Sequence, residues 1–276
     1  MFRKIWPDEW GPRLEHLLRN VLLTLLEDGD STLADIPPLL TDRTHRAAII
    51  ERLSDMVVKD FWKTEYQGYS PAFRAVITAP LQNKIGALLT DPVLRRILTE
   101  EGDQLDLDRV VNGGSILLVN LDKGSIGEGP ASLLGSILVS QIALAGMARS
   151  TKPASERRNY FIYLDEFQNY TTLAIATALA ELRKYGVGFV LAHQHLAQLE
   201  PEIRDAVFGN AGSIISFRMG GQDASYLARE FSPKFDATDI TNLPRFSAYA
   251  RLQIDGASSP PFSFDTLAEL PIDSND

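Results

Sequence analysis

The chain changes character near residue 115, and this change constrains its fold more than any other feature of the sequence. Before about residue 110, apolar residues recur at helical spacing and no convincing strand interrupts them. From residue 115, short apolar runs alternate with segments of helical pattern, as in a parallel sheet covered on both faces. The sequence therefore predicts an α/β fold, with a mainly parallel sheet covered by helices and an all-α subdomain before it.

Three regions follow from this change. We expect an all-α subdomain over residues 1–110, an α/β domain over 111–270 and a tail over 271–276. In the helical half, Pro80 predicts a kink or break and Asp91 a helix cap. In the other half, the candidate strands are SILLVNL (115–121), NYFIYLD (159–165), VGFVLAH (187–193), SIISFRM (213–219) and FSAYARLQI (246–254).

Composition excludes several kinds of chemistry. The 276 residues include no cysteine, which excludes disulfides, thiolate nucleophiles and zinc-thiolate sites. The formal net charge of -9 limits any contact with nucleic acid to local basic surface. The loop over residues 149–158 holds four basic residues that could meet phosphates, although a solvated loop is the simpler interpretation.

One stretch, residues 129–148, has no charged residue and about the length that spans a bilayer. Ser132, Ser136 and Ser140 recur in it at every fourth position, and strand-like runs flank it on both sides. We therefore expect a buried helix of a soluble α/β layer. A single membrane-spanning anchor is the alternative.

The second candidate strand ends in two adjacent carboxylates, Asp165 and Glu166, after an apolar stretch that predicts a buried strand. Ligands of open parallel sheets bind at the carboxyl ends of the strands. In nucleotide hydrolases the first acid of such a pair helps to hold Mg²⁺, and the second can orient and deprotonate the attacking water. The alternative is a helix cap, in which either acid accepts backbone amides of the following helix.

The third candidate strand ends in His193, Gln194 and His195. Alternate strand residues share a face, so the two histidines could meet a metal ion, but zinc usually takes three or four protein ligands. The other two histidines, His16 and His45, lie in the helical half. We therefore favour Gln194 as the functional residue, facing a bound γ-phosphate or the lytic water. A glutamine that only satisfies loop backbone is the alternative.

Two arginines are further candidates. The helical segment before the third strand ends in Arg183 and Lys184, and Gly186 is a typical helix stop. The helix dipole alone favours basic residues there, but Arg183 could also be an arginine finger that enters a neighbouring subunit's site, which predicts a ring. Arg218, near the end of the fourth run, could sense the nucleotide or only pair with a carboxylate such as Asp223.

A phosphate-binding loop needs the string G-x-x-x-x-G-K-[ST], whose amides hold phosphates and whose lysine reaches the terminal phosphate. No such string occurs in the chain. The glycine-rich residues 123–129 carry Glu128 where a cation is required, so they are better interpreted as the loop after the first strand. The chain alone therefore lacks the main phosphate-binding element of a nucleotide hydrolase.

Taken together, these residues resemble the C-terminal part of the conjugative DNA-transfer coupling ATPases (TraG/TraD-like) and their HerA/FtsK-like relatives, which are hexameric P-loop DNA translocases. The similarity extends over nearly the whole chain. The strings that carry it are SILLVNLDKG, YFIYLDEFQNY, ELRKYGVGFVLAHQHLAQL, NAGSIISFRMGGQDASYLAREFSP and LPRFSAYARLQIDG, in the order and at the spacing of the family.

The resemblance implies a RecA-like domain in which Asp165 and Glu166 are the Walker B pair, with Asp165 holding Mg²⁺ through water. It also implies that Gln194 is the strand-end sensor glutamine and that Arg183 matches the family's proposed arginine finger. The implied cofactors are ATP and Mg²⁺. The implied partners are DNA, further copies of the chain in a hexameric ring, and conjugation or secretion machinery.

In the family, the phosphate-binding loop precedes the helical insertion that residues 8–110 resemble. We therefore expect this chain to be a C-terminal portion that is completed by a P-loop-bearing N-terminal half, and to bind ATP weakly or not at all when alone. We expect a cytoplasmic protein, with any attachment to the inner face of the membrane made through an N-terminal region outside the chain. The alternative is a non-catalytic interaction module that docks onto a partner ATPase or DNA-transfer complex.

Overall fold

The computed structural model describes residues 10–100, 105–171 and 173–267. The predicted tail over residues 271–276 lies outside them. The chain divides into two compact units, Met1–Asp106 with Leu118–Ile137, and Leu107–Leu117 with Leu138–Asp276. The predicted domain boundary near residue 110 stays a prediction.

Helices make up most of the described chain. They are α1 (Pro12–Asp28), α2 (Ile36–Thr41), α3 (Arg43–Arg52), α4 (Met56–Asp60), α5 (Pro71–Thr90), α6 (Pro92–Thr99), α7 (Leu107–Gly113), α8 (Lys123–Ile126), α9 (Glu128–Ala148), α10 (Leu173–Glu181), α11 (Pro201–Asn210), α12 (Gly221–Phe231) and α13 (Ala237–Thr241). A π-helical turn, Phe61–Tyr66, continues α4. The strands are β1 (Tyr160–Leu164), β2 (Val187–Leu191), β3 (Ile214–Ser216), β4 (Ser247–Arg251), β5 (Gln253–Ile254), β6 (Ala257–Ser258) and β7 (Phe262–Asp265).

Aspartate caps start several helices of the first unit. Asp42, Asp55 and Asp91 each accept two backbone amides of the first turn of α3, α4 and α6. The cap predicted at Asp91 is therefore confirmed. Helix α5 continues through Pro80, so a break at this residue is the wrong prediction. Proline removes one backbone hydrogen bond, but tertiary packing of the same helix, as at the fully buried Ile85, offsets that loss.

The first unit has its own closed core, which contains a pair of buried aromatic residues. The Trp62 indole donates to Thr24 Oγ1 at 2.7 Å, and the Tyr66 hydroxyl donates to the Leu40 carbonyl at 2.8 Å. Both aromatic side chains are fully buried, so each polar atom needs such a partner. This unit is stabilised by helix packing, in agreement with the helical periodicity of its sequence.

The second unit contains separate sheets. Strands β1 and β2 pair in parallel, in register from Tyr160 opposite Val187 to Leu164 opposite Leu191. Strands β3, β4 and β7 form an antiparallel sheet, and β5 and β6 form a hairpin. The mixed α/β architecture is as predicted, whereas the described strands do not form one mainly parallel sheet. The order of the strands along the sequence does not predict which strands pair through their edges.

Strand β1 was expected to be buried, and only one of its faces is. The side chain of Ile162 is buried against Val187, Ala178, Leu182 and Ile142. The intervening side chains on the other face are open to solvent. Because alternate strand residues point to opposite faces, one covered face is enough to hold the strand in the unit.

The first candidate strand, residues 115–121, is not a strand in the structure. Its backbone has no regular secondary structure, and Ile116 and Leu118 are 88% and 89% exposed. An apolar run becomes a strand only where a neighbouring strand satisfies its backbone and a covering layer buries its side chains. Apolar composition alone therefore gave the wrong prediction here.

The fifth candidate strand, residues 246–254, is interrupted, and the hairpin that follows it was missed. Its residues form β4 and β5, which Leu252 separates. Asp255 and Gly256 then turn the chain into β6, with φ values of 50° and 82°. A turn with two positive φ values matches the twist of a two-residue hairpin, and Asp-Gly is a strong sequence signal for it.

Helix α9 is the stretch whose sequence raised the question of a membrane. Residues Glu128–Thr151 form one helix that is long and apolar enough to cross a bilayer, judged by length and composition alone. Within the folded chain 44% of its most apolar window is buried. Leu133 in its first half and Ile142 in its second half each belong to a buried cluster. These contacts favour the predicted core helix over the anchor.

Candidate functional site

The carboxyl ends of β1 and β2 lie side by side, as parallel pairing requires. The Ala192 amide donates to the Leu164 carbonyl at 2.9 Å, which extends the ladder one residue beyond the strands. The Phe167 amide then donates to the Ala192 carbonyl at 3.0 Å, and the Phe167 side chain is fully buried. The turn that contains Asp165 and Glu166 is thereby fixed against the residues that precede Gln194.

Glu166 and Gln194 are in direct contact at this edge. The Gln194 side-chain amide donates to Glu166 Oε1, and the amide of Gln168 donates to Glu166 Oε2. Glu166 has left-handed backbone angles, φ 50° and ψ 42°, which are uncommon for a residue with a side chain. The turn thus aims the carboxylate at Gln194, and the two residues predicted to act together are adjacent.

Asp165 is exposed beside this pair. Its Oδ1 accepts the backbone amide of Glu166 at 3.0 Å, so the carboxylate helps to shape the turn. Neither acid caps the short 3-10 helix Phe167–Asn169 through its side chain. The helix-cap alternative for these acids is therefore not what the structure shows, and the exposed Asp165 carboxylate is open to further ligands.

Apolar groups border the site on its inner side. The rings of His193 and Phe167 meet edge to face, with centroids 5.3 Å apart. Burial lowers the pKa of His193, and the charges of Asp223 and Glu166 act in the opposite direction. Burial also raises the pKa of Tyr170, assisted by Asp165 and Glu166. His193 thus behaves as a neutral packing residue.

His195 and Asp223 form a separate contact next to the site. The nearer Asp223 oxygen is 3.8 Å from His195 Nδ1 and accepts the Leu196 amide at 3.1 Å. The Asp223 carboxylate therefore contacts groups other than Arg218. An ion pair with Asp223 was the alternative to a nucleotide-sensing role for Arg218. Within the described ranges, no group of three or more His, Asp or Glu side chains could hold a metal ion.

Arg183 lies at the opposite end of β2 from Gln194. It belongs to the 3-10 turn Leu182–Tyr185, which ends at Gly186 with φ 75° and ψ 26°, as the predicted helix stop requires. Its neighbour Lys184 pairs with Glu181, whereas Arg183 is exposed and forms no ion pair with any described carboxylate. Five strand residues at ~3.3 Å each separate Arg183 from the carboxyl edge by roughly 16 Å.

In the basic loop over residues 149–158, the side chains of Arg149 and Arg157 form hydrogen bonds within the chain. Arg149 is 1% exposed, and its guanidinium donates to Asn112 and to the carbonyls of Tyr185, Gly186 and Arg158. Burial lowers the pKa of Arg149. The loop is therefore neither a phosphate-binding patch nor a fully solvated segment at this residue.

Arg218 and Gln194 line a common cavity. Arg218 is exposed in a bend two residues after β3. The cavity is about 1510 Å³ in volume, lies between β2 and β3, and also has Arg183 on its wall. The structure therefore brings Arg218, Gln194 and Arg183 to one cavity, whereas Glu166 reaches it through its bond to Gln194.

Sequence comparison connects this unit with a known family. Residues 125–230 match the model of the type IV secretion-system coupling protein DNA-binding domain. All candidate site residues named above lie inside the match. No curated protein matches the chain.

Solved structures of a coupling protein share the fold. The plasmid coupling protein TrwB in complex with the non-hydrolysable GTP analogue GDPNP has a TM-score of 0.62 and 15% identity, over 95% of this chain and 66% of that chain. The unbound monoclinic form of TrwBdeltaN70 has a TM-score of 0.63 and 14% identity, over 97% and 67%. TrwB in complex with ADP and Mg²⁺ has a TM-score of 0.62 and 15% identity, over 90% and 62%.

The chain thus shares the fold of the TrwB structures. Residues 125–230 are similar to the DNA-binding domain of type IV secretion-system coupling proteins, which agrees with the resemblance to coupling proteins seen in the sequence. The chain spans about two thirds of the length of these structures, with values of 66%, 67% and 62%. At 15% identity the likeness to TrwB establishes the fold and not the activity.

Proposed function

We propose that this chain is the Walker B, sensor and arginine-finger portion of an ATP-driven DNA translocase of the conjugation coupling type. The observation that carries the proposal is the contact between the Gln194 amide and the Glu166 carboxylate at the carboxyl edge of a parallel strand pair, beside exposed Asp165. Ligands bind at this edge in open parallel sheets. A base and an amide at that position are the groups that nucleotide hydrolysis uses.

The residues at the edge fit a magnesium nucleotide in part. Oxygen atoms are the ligands that Mg²⁺ prefers, and Asp165 offers a carboxylate that is exposed. Asp165 would hold the ion through water, and the bound ion would neutralise phosphate charge as the terminal phosphate is transferred. The cradle for the phosphates themselves is not encoded by the 276 residues, which lack G-x-x-x-x-G-K-[ST].

Glu166 and Gln194 have complementary roles in this proposal. Glu166 Oε1 lies against an amide that can also contact a water molecule, so the glutamate can take the water proton while Gln194 orients the oxygen. Gln168 holds the second carboxylate oxygen. The carboxylate is therefore positioned by two amides before any substrate arrives, which limits the reorganisation that the reaction requires.

Arg183 would act on a neighbouring copy. Arg183 lies at the far end of β2, roughly 16 Å along the strand from the edge that carries Glu166, which favours action on phosphates held by a neighbouring copy. Its exposure leaves the guanidinium available to a partner. This arrangement supports a closed ring of copies, which for this class we propose to be a hexamer around DNA. Since the net charge is -9, DNA would be held by local basic groups.

A second candidate function is a non-catalytic module that docks onto a partner ATPase or DNA-transfer complex. The absence of the phosphate-binding string from the sequence favours it. The two functions differ in one respect that can be measured. Only the first requires Glu166 for turnover of ATP.

The test is reconstitution of hydrolysis. The chain is co-purified with the polypeptide segment that supplies G-x-x-x-x-G-K-[ST], and ATP turnover is measured for the natural chain, Glu166→Gln and Glu156→Gln. Glu156 is an exposed acid in the loop before β1 and is the matched control. We expect activity in the pair, a loss of about 10²- to 10⁴-fold in Glu166→Gln and no change in Glu156→Gln. Equal activity of all three pairs would favour the docking module.

A further inference from the structure

Gln194 lies in a short loop that is anchored on both sides. The residue is exposed at a bend and belongs to no helix or strand, so its direction depends on its neighbours in the loop. On one side the Ala192 carbonyl accepts the Phe167 amide at 3.0 Å, and on the other the Leu196 amide donates to Asp223 Oδ2 at 3.1 Å. These two anchors therefore set the direction of the Gln194 side chain.

The second anchor is a buried carboxylate in the first turn of α12. The Asp223 side chain is 10% exposed, and the cost of withdrawing a charged carboxylate from water is offset through hydrogen bonds. The Leu196 amide supplies one at 3.1 Å, whereas His195 Nδ1 is 3.8 Å away, beyond hydrogen-bond length. The buried charge is thus bonded to the loop that carries Gln194.

The helix dipole alone does not explain this placement. An acid in the first turn of a helix is favoured by the dipole whether its side chain is buried or exposed. Glu202 is an example, because it lies in the first turn of α11 and is exposed. Asp223 is instead buried against the backbone of Leu196, so its carboxylate has a role beyond the dipole.

Apolar packing supports the same contact. Leu196, Phe167 and Ala224 belong to one buried cluster, and each is at most 3% exposed. Phe167 directly follows Glu166, so the turn with the carboxylate, the loop with the amide and the start of α12 share one core. In a catalytic site, a displacement of about 1 Å is enough to lower the rate by roughly 10²-fold.

We infer that Asp223 is a positioning residue for Gln194. Its bond to the Leu196 amide holds the loop so that the Gln194 side-chain amide stays on the Glu166 carboxylate before nucleotide is bound. Arg218 lies five residues before Asp223, so the bond also connects the segment that carries Arg218 with the segment that carries Gln194. The contact is independent of the proposed function, and only its effect on turnover rests on that function.

The side-chain amide of Gln194 reports the contact in the intact chain without nucleotide. Its exchange with water is measured by NMR in the natural chain, Asp223→Ala and Asp223→Asn, and Glu166→Ala gives the rate for an amide without its acceptor. Because hydrogen bonds to charged groups are strong, we expect Asp223→Ala to raise the exchange rate about tenfold, toward that of Glu166→Ala. Asp223→Asn should keep the slow rate, because its side-chain oxygen still accepts the Leu196 amide.

Glu202→Ala is the matched control, because it removes an exposed acid from the first turn of another helix. It should leave the exchange rate of Gln194 unchanged. An unchanged rate in Asp223→Ala, even with a lower free energy of unfolding, would make Asp223 a structural residue only and would overturn the inference. A fast rate in Asp223→Asn would also overturn it, because the charge rather than the bond to Leu196 would then hold the loop.

A second change keeps the test decisive if Asp223→Ala does not fold. Leu196 is replaced by its α-hydroxy acid analogue, which has an ester oxygen in place of the amide N–H and leaves both side chains intact. We expect the same acceleration of Gln194 exchange as for Asp223→Ala. An unchanged exchange rate would show that the bond to Leu196 does not position Gln194.

Turnover is measured separately in the reconstituted ATPase. Asp223→Ala should lower kcat about tenfold and leave KM for ATP unchanged, and Asp223→Asn should restore kcat. An unchanged kcat in Asp223→Ala would contradict the positioning role. Fast exchange of the Gln194 amide in Asp223→Ala, together with an inactive natural pair, would instead contradict the proposed function and leave the positioning role intact.

Discussion

The two ends of the β1–β2 pair both carry charged side chains. Those at the amino end include a buried one, whereas those at the carboxyl end are accessible. At the amino end, Arg149 is 1% exposed, and its guanidinium donates four hydrogen bonds, to three backbone carbonyls and one side-chain oxygen. At the carboxyl end, Asp165 is exposed, and Glu166 accepts bonds from two side-chain amides. A buried guanidinium that is hydrogen-bonded to backbone carbonyls connects parts of the fold, whereas a carboxylate that is open to solvent at a strand end is available to a ligand.

The largest expected effect concerns the exposed arginine of the amino end. In the reconstituted ATPase, Arg183→Ala should lower kcat by about 10³- to 10⁵-fold if it stabilises transition-state charge in a neighbouring copy. A mixing experiment separates action in trans from action in cis. Arg183→Ala and Glu166→Gln chains, each inactive, should regain part of the activity when combined, because some interfaces then contain both intact residues. No recovery on mixing would contradict action in trans.

Arg149, the buried arginine at the amino end of the strand pair, should affect the free energy of unfolding. Arg149→Met keeps the unbranched stem of the side chain but leaves buried carbonyls without a donor, which we expect to cost about 3 kcal/mol of unfolding free energy. Chemical denaturation of the purified chain measures this loss. Arg183→Met is the matched control at the same strand end, and its unfolding midpoint should not move. Equal midpoints for both variants would remove the distinction between the two arginines.

At the carboxyl end, the amide of Gln194 should matter for turnover more than for folding. Hydrogen bonds to a charged group contribute about 1.5–3 kcal/mol, so Gln194→Ala should lower kcat of the reconstituted enzyme by roughly 10- to 100-fold. Gln198→Ala changes an exposed glutamine of the next turn and serves as the control. If Gln194→Ala lowered the free energy of unfolding as much as Arg149→Met, the carboxyl end of the strand pair would also be needed to stabilise the fold.

The smallest expected effect is a pH dependence at the same end. Burial lowers the pKa of His193 in the folded chain, so the unfolded chain binds its proton first as the pH falls. The stability that neutral His193 contributes is complete above its ordinary pKa of about 6.5, and it decreases as the pH falls below this value. Thermal unfolding between pH 7.5 and 5 should show this decrease in the natural chain and a shallower one in His193→Gln. Parallel curves for the two chains would be evidence against a half-buried, neutral His193.

Part of the difference between the two ends of the strand pair could be predicted from the sequence. Asp165, Glu166 and Gln194 each follow an apolar run, and parallel strands bring such positions together, so their proximity follows from topology alone. The role of Arg149 could not be predicted, because its partners are carbonyls at residues 158, 185 and 186 that only the fold brings near. A basic residue in a loop gives no sign in the sequence that it will be buried.

The pairing of the strands was the least predictable part of the fold. Residues 115–121 and 187–191 are similarly apolar, yet the first segment is exposed and the second pairs with β1. Strand formation depends on a partner edge, and the sequence of a run does not identify that edge. The Asp255-Gly256 turn is an exception, because its signal is local and could have predicted the β5–β6 hairpin.

Titration of the purified chain with ATP in the presence of Mg²⁺ tests most directly whether its carboxyl edge is one part of a divided nucleotide site. The proposal predicts no saturable binding by the chain alone at millimolar ATP, and micromolar, Mg²⁺-dependent binding once the P-loop-bearing segment is added. Asp165→Asn should weaken the binding of the pair. Micromolar, Mg²⁺-dependent binding of ATP by the chain alone would contradict the proposal.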